Sequence, residues 1–175
     1  KYAYDFSDRL TAATFQASSA ATTWDKEVNT LNETLTYDAN GNIKTLVRKR
    51  NDRGLQAGTP PVITSSAQTI DDLTYIYQGI NGGAQNSNVL VRVNEAVSGT
   101  TGQDGFKNGA DSDTEFIYQT WGSLKKDANK GIDSIAYNFL GKPKKVYFNT
   151  GRVVEYTYDA GGNKLSVKTV NGATT

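Results

Sequence analysis

The sequence predicts an all-β fold, a row of antiparallel β-hairpins forming a curled sheet. Three observations carry that expectation. Apolar and polar residues alternate with a period of two in stretch after stretch, the pattern of strands with one covered face. Turns containing Asp, Asn and Gly separate these stretches, and they are short enough for hairpins. No segment keeps the i, i+3, i+4, i+7 spacing of an amphipathic helix for long.

Taken in order, the first hairpin pairs Tyr2–Tyr4 with Leu10–Phe15 across Asp5-Phe6-Ser7-Asp8. A small-residue loop runs from Ala17 to Thr23, and Trp24 opens the approach to the second hairpin. The alternation Val28, Leu31, Thr34, Tyr37 is broken, which predicts a bulge or turn near Asn29–Asn32. Leu35 and Tyr37 then lead into Asp38-Ala39-Asn40-Gly41-Asn42, and Ile43 starts the return strand, which is expected to end near Lys49. Gly41 is the residue able to take the left-handed conformation such a loop needs.

Asn51–Thr69 carries Gly54, Gly58 and Pro60-Pro61, and it predicts a first long loop. Ile70–Tyr77 and Val89–Val93 form a third hairpin with a lengthened turn at Gly79–Gly83. Ser98–Asp113 predicts a second long loop, with Phe106 as its only large apolar residue. Phe116–Tyr118 turns through Gln119–Gly122, and Ile135–Tyr137 turns through Phe139–Pro143. The last stretch alternates most clearly, at Val154, Tyr156 and Tyr158 and again at Leu165, Val167 and Thr169. About twelve strands at roughly 4.8 Å spacing would twist and curl rather than lie flat.

The hairpins repeat. An apolar residue, any residue, then Tyr recurs at Tyr4, Tyr37, Tyr77, Tyr118, Tyr137 and Tyr158, at intervals of 33, 40, 41, 19 and 21 residues. Asp follows directly at Asp5, Asp38 and Asp159, with Asn138 as a close substitute. Arg9, Asn42 and Asn163 stand five residues after the Tyr, and an apolar residue follows at Leu10, Ile43 and, one step later, Leu165. The fixed place of the Tyr predicts a packing ladder, with all six at least partly buried.

These units resemble the YD repeats of RHS proteins. The likeness rests on Tyr4-Asp5…Arg9-Leu10, Tyr37-Asp38-Ala39-Asn40-Gly41-Asn42-Ile43 and Tyr158-Asp159-Ala160-Gly161-Gly162-Asn163-Lys164-Leu165. Asp127-Ala128-Asn129-Lys130-Gly131-Ile132 followed by Ile135-Ala136-Tyr137-Asn138 is similar to a form common in Bacteroidetes members. The resemblance spans most of residues 1–175, read as a single stretch of about six hairpin units. It departs at Gln78 and Gln119, which stand where Asp is expected. It implies a large bacterial protein, secreted or displayed at the cell surface, whose repeats wind into a hollow β shell that often encloses a toxic domain. Neighbouring repeats of the same polypeptide and an enclosed toxin or effector domain would be its partners. Both ends of the chain fall inside the repeat, so the expectation is a length of wall from a longer array.

Composition narrows the chemistry. With no His and no Cys, the usual Ser–His and Cys–His arrangements, disulfides and zinc sites of N or S ligands are excluded. The net charge of +1 gives no electrostatic reason to expect nucleic acid or an anionic membrane, and no run is long enough to span a bilayer. Adjacent Asp71 and Asp72 point to opposite faces of a strand and do not form a catalytic pair. Asp111-Ser112-Asp113-Thr114-Glu115 invites a calcium reading but lacks the Gly and Glu of an EF-hand; a solvated acidic loop is the expectation, with a looser calcium loop as the lesser alternative. No catalytic, cofactor or metal residue is expected. Trp24, Phe106 and Trp121 lie off the Tyr ladder and are candidates for stacking on a sugar ring. Two rivals to the shell wall follow: a surface adhesin or carbohydrate-binding module that contacts a glycan, and an extracellular fibre subunit.

Overall fold

A computed structural model describes residues 1–17, 26–27, 31–56, 62–79, 85–98 and 104–172. The fold is all-β and antiparallel, as expected, with no α-helix among the described residues. Fourteen strands are described: β1 (Tyr2–Tyr4), β2 (Leu10–Ala13), β3 (Gln16–Ala17), β4 (Lys26–Glu27), β5 (Glu33–Tyr37), β6 (Ile43–Gln56), β7 (Val62–Gly79), β8 (Gln85–Glu95), β9 (Phe116–Tyr118), β10 (Leu124–Asp127), β11 (Ile132–Tyr137), β12 (Pro143–Phe148), β13 (Val153–Tyr158) and β14 (Lys164–Val170). They form two six-stranded sheets, ordered β1-β2-β5-β6-β7-β8 and β14-β13-β12-β11-β10-β9, plus the small pair β3-β4. Apart from that pair, within each sheet every strand neighbours the next in sequence, as hairpins require. The chain divides into two compact units, one of residues 1–89 and 93–107 and one of residues 90–92 and 108–172.

In the first unit Leu73 and Val93 are buried, and Leu73 lies opposite Leu46 across β6 and β7. The strongest departure from expectation is here. The presumed loop Asn51–Thr69 is mostly strand: pairing runs without a break from Lys49↔Thr69 to Gln56↔Val62. Its Gly and polar content suggested a loop, but a ladder needs only backbone donors and acceptors. Val62-Ile63-Thr64 then supplies a β-branched run against which the other arm pairs. Pro60 and Pro61 lie outside the described residues. The turn expected near Asn29–Asn32 is present at its end, where Leu31 has φ +57° and the Asn32 side-chain oxygen accepts the Phe15 amide at 2.9 Å. Of the expected loops, Ala17 ends β3 and Gly79 ends β7; residues 18–23, 80–83 and 99–103 fall outside the described residues.

In the second unit Ile135 and Val146 are buried directly opposite each other on β11 and β12. Among the described residues three carboxylates are buried as well: Asp71 in the first unit, Glu115 and Asp127 in the second. Buried charge is costly unless it is paired, and each has partners. Arg48 holds Asp71 through Nε at 2.5 Å, and the Phe106 amide bonds the other Asp71 oxygen at 2.5 Å. The Asn129 side-chain amide donates to Glu115 at 2.7 Å, and the Lys130 amide donates to Asp127 at 3.1 Å.

Candidate functional site

The chemistry that recurs is the junction between one hairpin and the next, and it is built from the repeat residues. Consider first the loop after each Tyr. Asp38 N–H donates to the Asn42 carbonyl at 2.9 Å, and Gly41 N–H donates back to the Asp38 carbonyl at 3.1 Å. The same two bonds close the loops that begin at Asp5, Gln119, Asn138, Phe148 and Asp159. The residue before the loop's last position needs a positive φ, and Gly41 supplies it at +87°. Asp8 fills this place in the first loop, at φ +58°.

A carboxylate braces the loop from inside. Asp38 Oδ1 accepts the Asn42 backbone amide and Oδ2 accepts the Asn42 side-chain amide, both at 2.8 Å. Asp159 and Asn163 repeat this at 2.8 and 2.9 Å. Asp5 does the same with Arg9, through the backbone amide at 3.0 Å and Nε at 2.7 Å. Asn138 keeps half of the brace, accepting the Lys142 amide at 2.9 Å. For Asp5 and Asp38 desolvation raises the carboxyl, but the bonds from Arg9 and Asn42 outweigh it and hold both below the ordinary Asp value. At Asp159 the Asn163 bonds come first and lower it too.

The Tyr then does two things at once. Across its own hairpin it faces the residue five positions after the Asp site: Tyr4↔Leu10, Tyr37↔Ile43, Tyr118↔Leu124, Tyr137↔Pro143 and Tyr158↔Lys164. Its hydroxyl reaches the equivalent carbonyl of the preceding hairpin. Tyr37 donates to Leu10 at 2.8 Å, Tyr77 to Ile43 at 3.0 Å, Tyr137 to Leu124 at 2.6 Å and Tyr158 to Pro143 at 2.8 Å. The strands between hairpins share a register as well: Ala12↔Thr34, Thr45↔Thr74 and Lys145↔Glu155 are equivalent pairs. At the last of these Lys145 Nζ meets Glu155 Oε1 at 2.6 Å, a bond that raises the Lys145 ammonium and lowers the Glu155 carboxyl.

The residue that braces the Asp also stitches hairpins together. Arg9 Nη1 donates to the Asp38 carbonyl at 3.2 Å, and its guanidinium lies 4.7 Å from the centre of the Tyr37 ring. The Asn42 side-chain amide reaches the Ser87 carbonyl at 3.3 Å and Asn88 Oδ1 at 3.0 Å.

Five of the six repeat Tyr are half-buried, as the ladder predicts; Tyr4 is not. It is 60% exposed because it sits on β1, an edge strand. The burial of Tyr118 and Tyr137 pushes their phenols up, with Asp127 adding to the effect on Tyr118. Of the three sugar-contact candidates, Trp24 lies outside the described residues. Phe106 is half-buried, and its amide caps Asp71. Trp121 is 66% exposed and shares an open cleft with Gln119, Tyr137, Asn138 and Phe139, the last 91% exposed.

Phe139 escaped the sequence reading, although an aromatic directly after Asn138 in a loop is a legible sign of exposure. The buried carboxylates were missed too. The signal at Asp71 was its place two residues before Leu73, on the core face of the same strand. At the acidic loop an arginine stands where a cation would have been sought: Arg92 meets Asp111 at 2.5 Å and Asp113 at 3.2 Å.

No family model matches the chain, and a search of curated proteins finds no match.

Proposed function

We propose that this chain is a structural, non-catalytic length of β wall from a large secreted or cell-surface bacterial protein of the RHS, or YD-repeat, type. The wall would enclose or present a toxin or effector domain carried elsewhere in the same polypeptide. One observation supports this reading above the others: the residues that define the repeat are consumed in joining hairpins. Tyr supplies the hydroxyl, Asp the brace, and Arg9 and Asn42 the stitch. A motif spent on hairpin-to-hairpin contact suits an element that stacks, each unit burying what it cannot bury alone.

The test is a longer stretch of the parent protein with repeats on both sides. It should melt higher than this chain, stay monomeric and hydrolyse none of a panel of glycoside, ester and peptide substrates. A chain as stable and monomeric alone as within the longer stretch would argue for a self-sufficient module instead.

The Trp121–Phe139 cleft favours a second reading, recognition of a glycan. Two exposed aromatic faces on neighbouring turns, beside the amides of Gln119 and Asn138, offer stacking and hydrogen bonding together. Saturable binding on a glycan array that is lost in Trp121→Ala would support the adhesin; no binding at millimolar sugar would remove it.

A further inference from the structure

Three loops of the second unit stand at one edge of its sheet. Residues 119–123 join β9 to β10, residues 138–142 join β11 to β12, and residues 159–163 join β13 to β14. Trp121 of the first loop lines one cleft with Phe139 of the second. A Cβ on Gly162 would meet Leu140 Cδ1 at 3.6 Å and Lys142 Cε at 3.5 Å, so the second and third loops lie side by side.

The tips of the first two loops are apolar. Phe139 is 91% exposed, Trp121 66% and Leu140 39%. The shape of the loop does not call for these residues. Ala39 and Asn40, and again Ala160 and Gly161, hold the places of Phe139 and Leu140 in loops closed by the same two backbone bonds. Large apolar groups held in water at the end of a braced turn stabilise nothing in the fold. Contiguous exposed apolar surface of this kind marks a contact surface.

The charge around the tips has one sign. Lys125, Lys142, Lys144 and Lys164 stand within two residues of the three loops, all exposed, against Asp159 alone. The Asp159 carboxylate is already occupied by Asn163. The other acids of the unit lie away from the tips. Asp111, Asp113, Glu115, Asp127 and Asp133 gather toward the opposite edge, and Glu155 sits within β13 against Lys145. The chain's net charge of +1 averages over this segregation.

We propose that these loop tips form a peripheral docking patch for an anionic lipid bilayer. Trp121, Phe139 and Leu140 enter the boundary between headgroups and acyl chains, where aromatic side chains are favoured. The lysines, one or two residues behind, meet the lipid phosphates while their stems lie along the apolar surface. Only the tips enter the bilayer. A neutral sugar would use the two rings but would leave Leu140 and the four lysines without a role. The patch does not rest on the array reading, and it competes with the glycan reading for the same side chains.

The test is flotation of the full chain with vesicles of phosphatidylcholine alone and of phosphatidylcholine mixed equally with phosphatidylglycerol. The chain should float with the anionic vesicles and bind the neutral ones roughly tenfold more weakly or worse. Trp121→Ser with Phe139→Ser should weaken anionic binding by roughly tenfold or more. Lys142→Gln with Lys144→Gln should weaken it roughly 25-fold, the worth of two lysines beside an anionic surface. All four of these side chains are exposed, so the circular dichroism of both variants should match the parent. Phe6→Ser is the control: Phe6 is 96% exposed, but its loop carries Asp5 and Asp8 beside Arg9, and its loss should leave binding unchanged. No flotation with either vesicle, equal flotation with both, or undiminished binding in the lysine pair would overturn the proposal. So would a loss in Phe6→Ser as large as that in the aromatic pair, which would mean general hydrophobic adhesion. Saturable binding of an uncharged oligosaccharide by a chain that ignores vesicles would assign the tips to a sugar and overturn it too.

Discussion

The loop at Asp38–Asn42 and the loop at Gln119–Ser123 have the same shape and different contents. Both are closed by the same two backbone bonds, with Gly at φ +87° in one and +88° in the other. Only the first holds a carboxylate brace. Only the first also reaches a neighbouring hairpin through the residue at its end, Asn42. The Phe148–Arg152 loop has the same closure with an aromatic ring in place of the acid. The loop's shape therefore comes from backbone pairing and one left-handed residue. Aspartate stiffens a shape that exists without it, and Asn or Arg turns the stiffened loop into a joint.

The largest effect should fall equally on both loops. Gly41→Val and Gly122→Val should each cost about 1–2 kcal/mol in urea unfolding, because a Cβ is strained at that φ wherever it occurs. Space is not the issue: a Cβ at Gly41 would meet Arg9 Nη1 at an ordinary 3.6 Å and one at Gly122 would meet nothing. A tolerant Gly122 beside a sensitive Gly41 would break the comparison.

Removing one hydroxyl comes next. Tyr37→Phe and Tyr137→Phe should each cost about 1 kcal/mol, the usual net worth of such a bond. Tyr4→Phe, on an exposed edge, should stay within about 0.5 kcal/mol of the parent.

The brace should separate the two loops. Asp38→Ala should lower the melting temperature, and Gln119→Ala should leave it in place. The double change Gln119→Asp with Ser123→Asn should raise it by installing the missing bonds. A fall in that double variant would show that the brace needs more than its two residues.

The smallest effect is one of pH. The Asp38 and Asp159 carboxyls lie below the ordinary value of 3.8 when folded, so their braces act fully above that range. They are lost as pH falls through the lower, folded values. Asn42 and Asn163 amide resonances should therefore move in acid, and Ser123, with no carboxylate in its loop, should hold still.

Much of this was legible in the sequence. The period-two alternation and the Tyr-Asp spacing place the hairpins, and Gly41 announces its own conformation. What escaped was of two kinds. Polar ladders such as β6–β7 beyond Lys49 carry no alternation to read, since backbone donors and acceptors pair whatever the side-chain pattern. Long-range partners such as Arg48–Asp71 and Asn129–Glu115 join residues 23 and 14 positions apart. Nothing local marks one for the other. The hydroxyl lock lies between these cases: the Tyr is conspicuous, but its acceptor is a backbone carbonyl of another hairpin.

The central claim, that one junction is repeated along the chain, meets its most direct test in Tyr158→Phe. Residue-resolved amide exchange on that variant should show protection lost along β12 and β13, around Lys145–Tyr147 and Val153–Glu155. The Ala12–Thr34 junction should be unaffected. Unchanged exchange at β12 and β13, or a loss spread evenly over every strand, would contradict it.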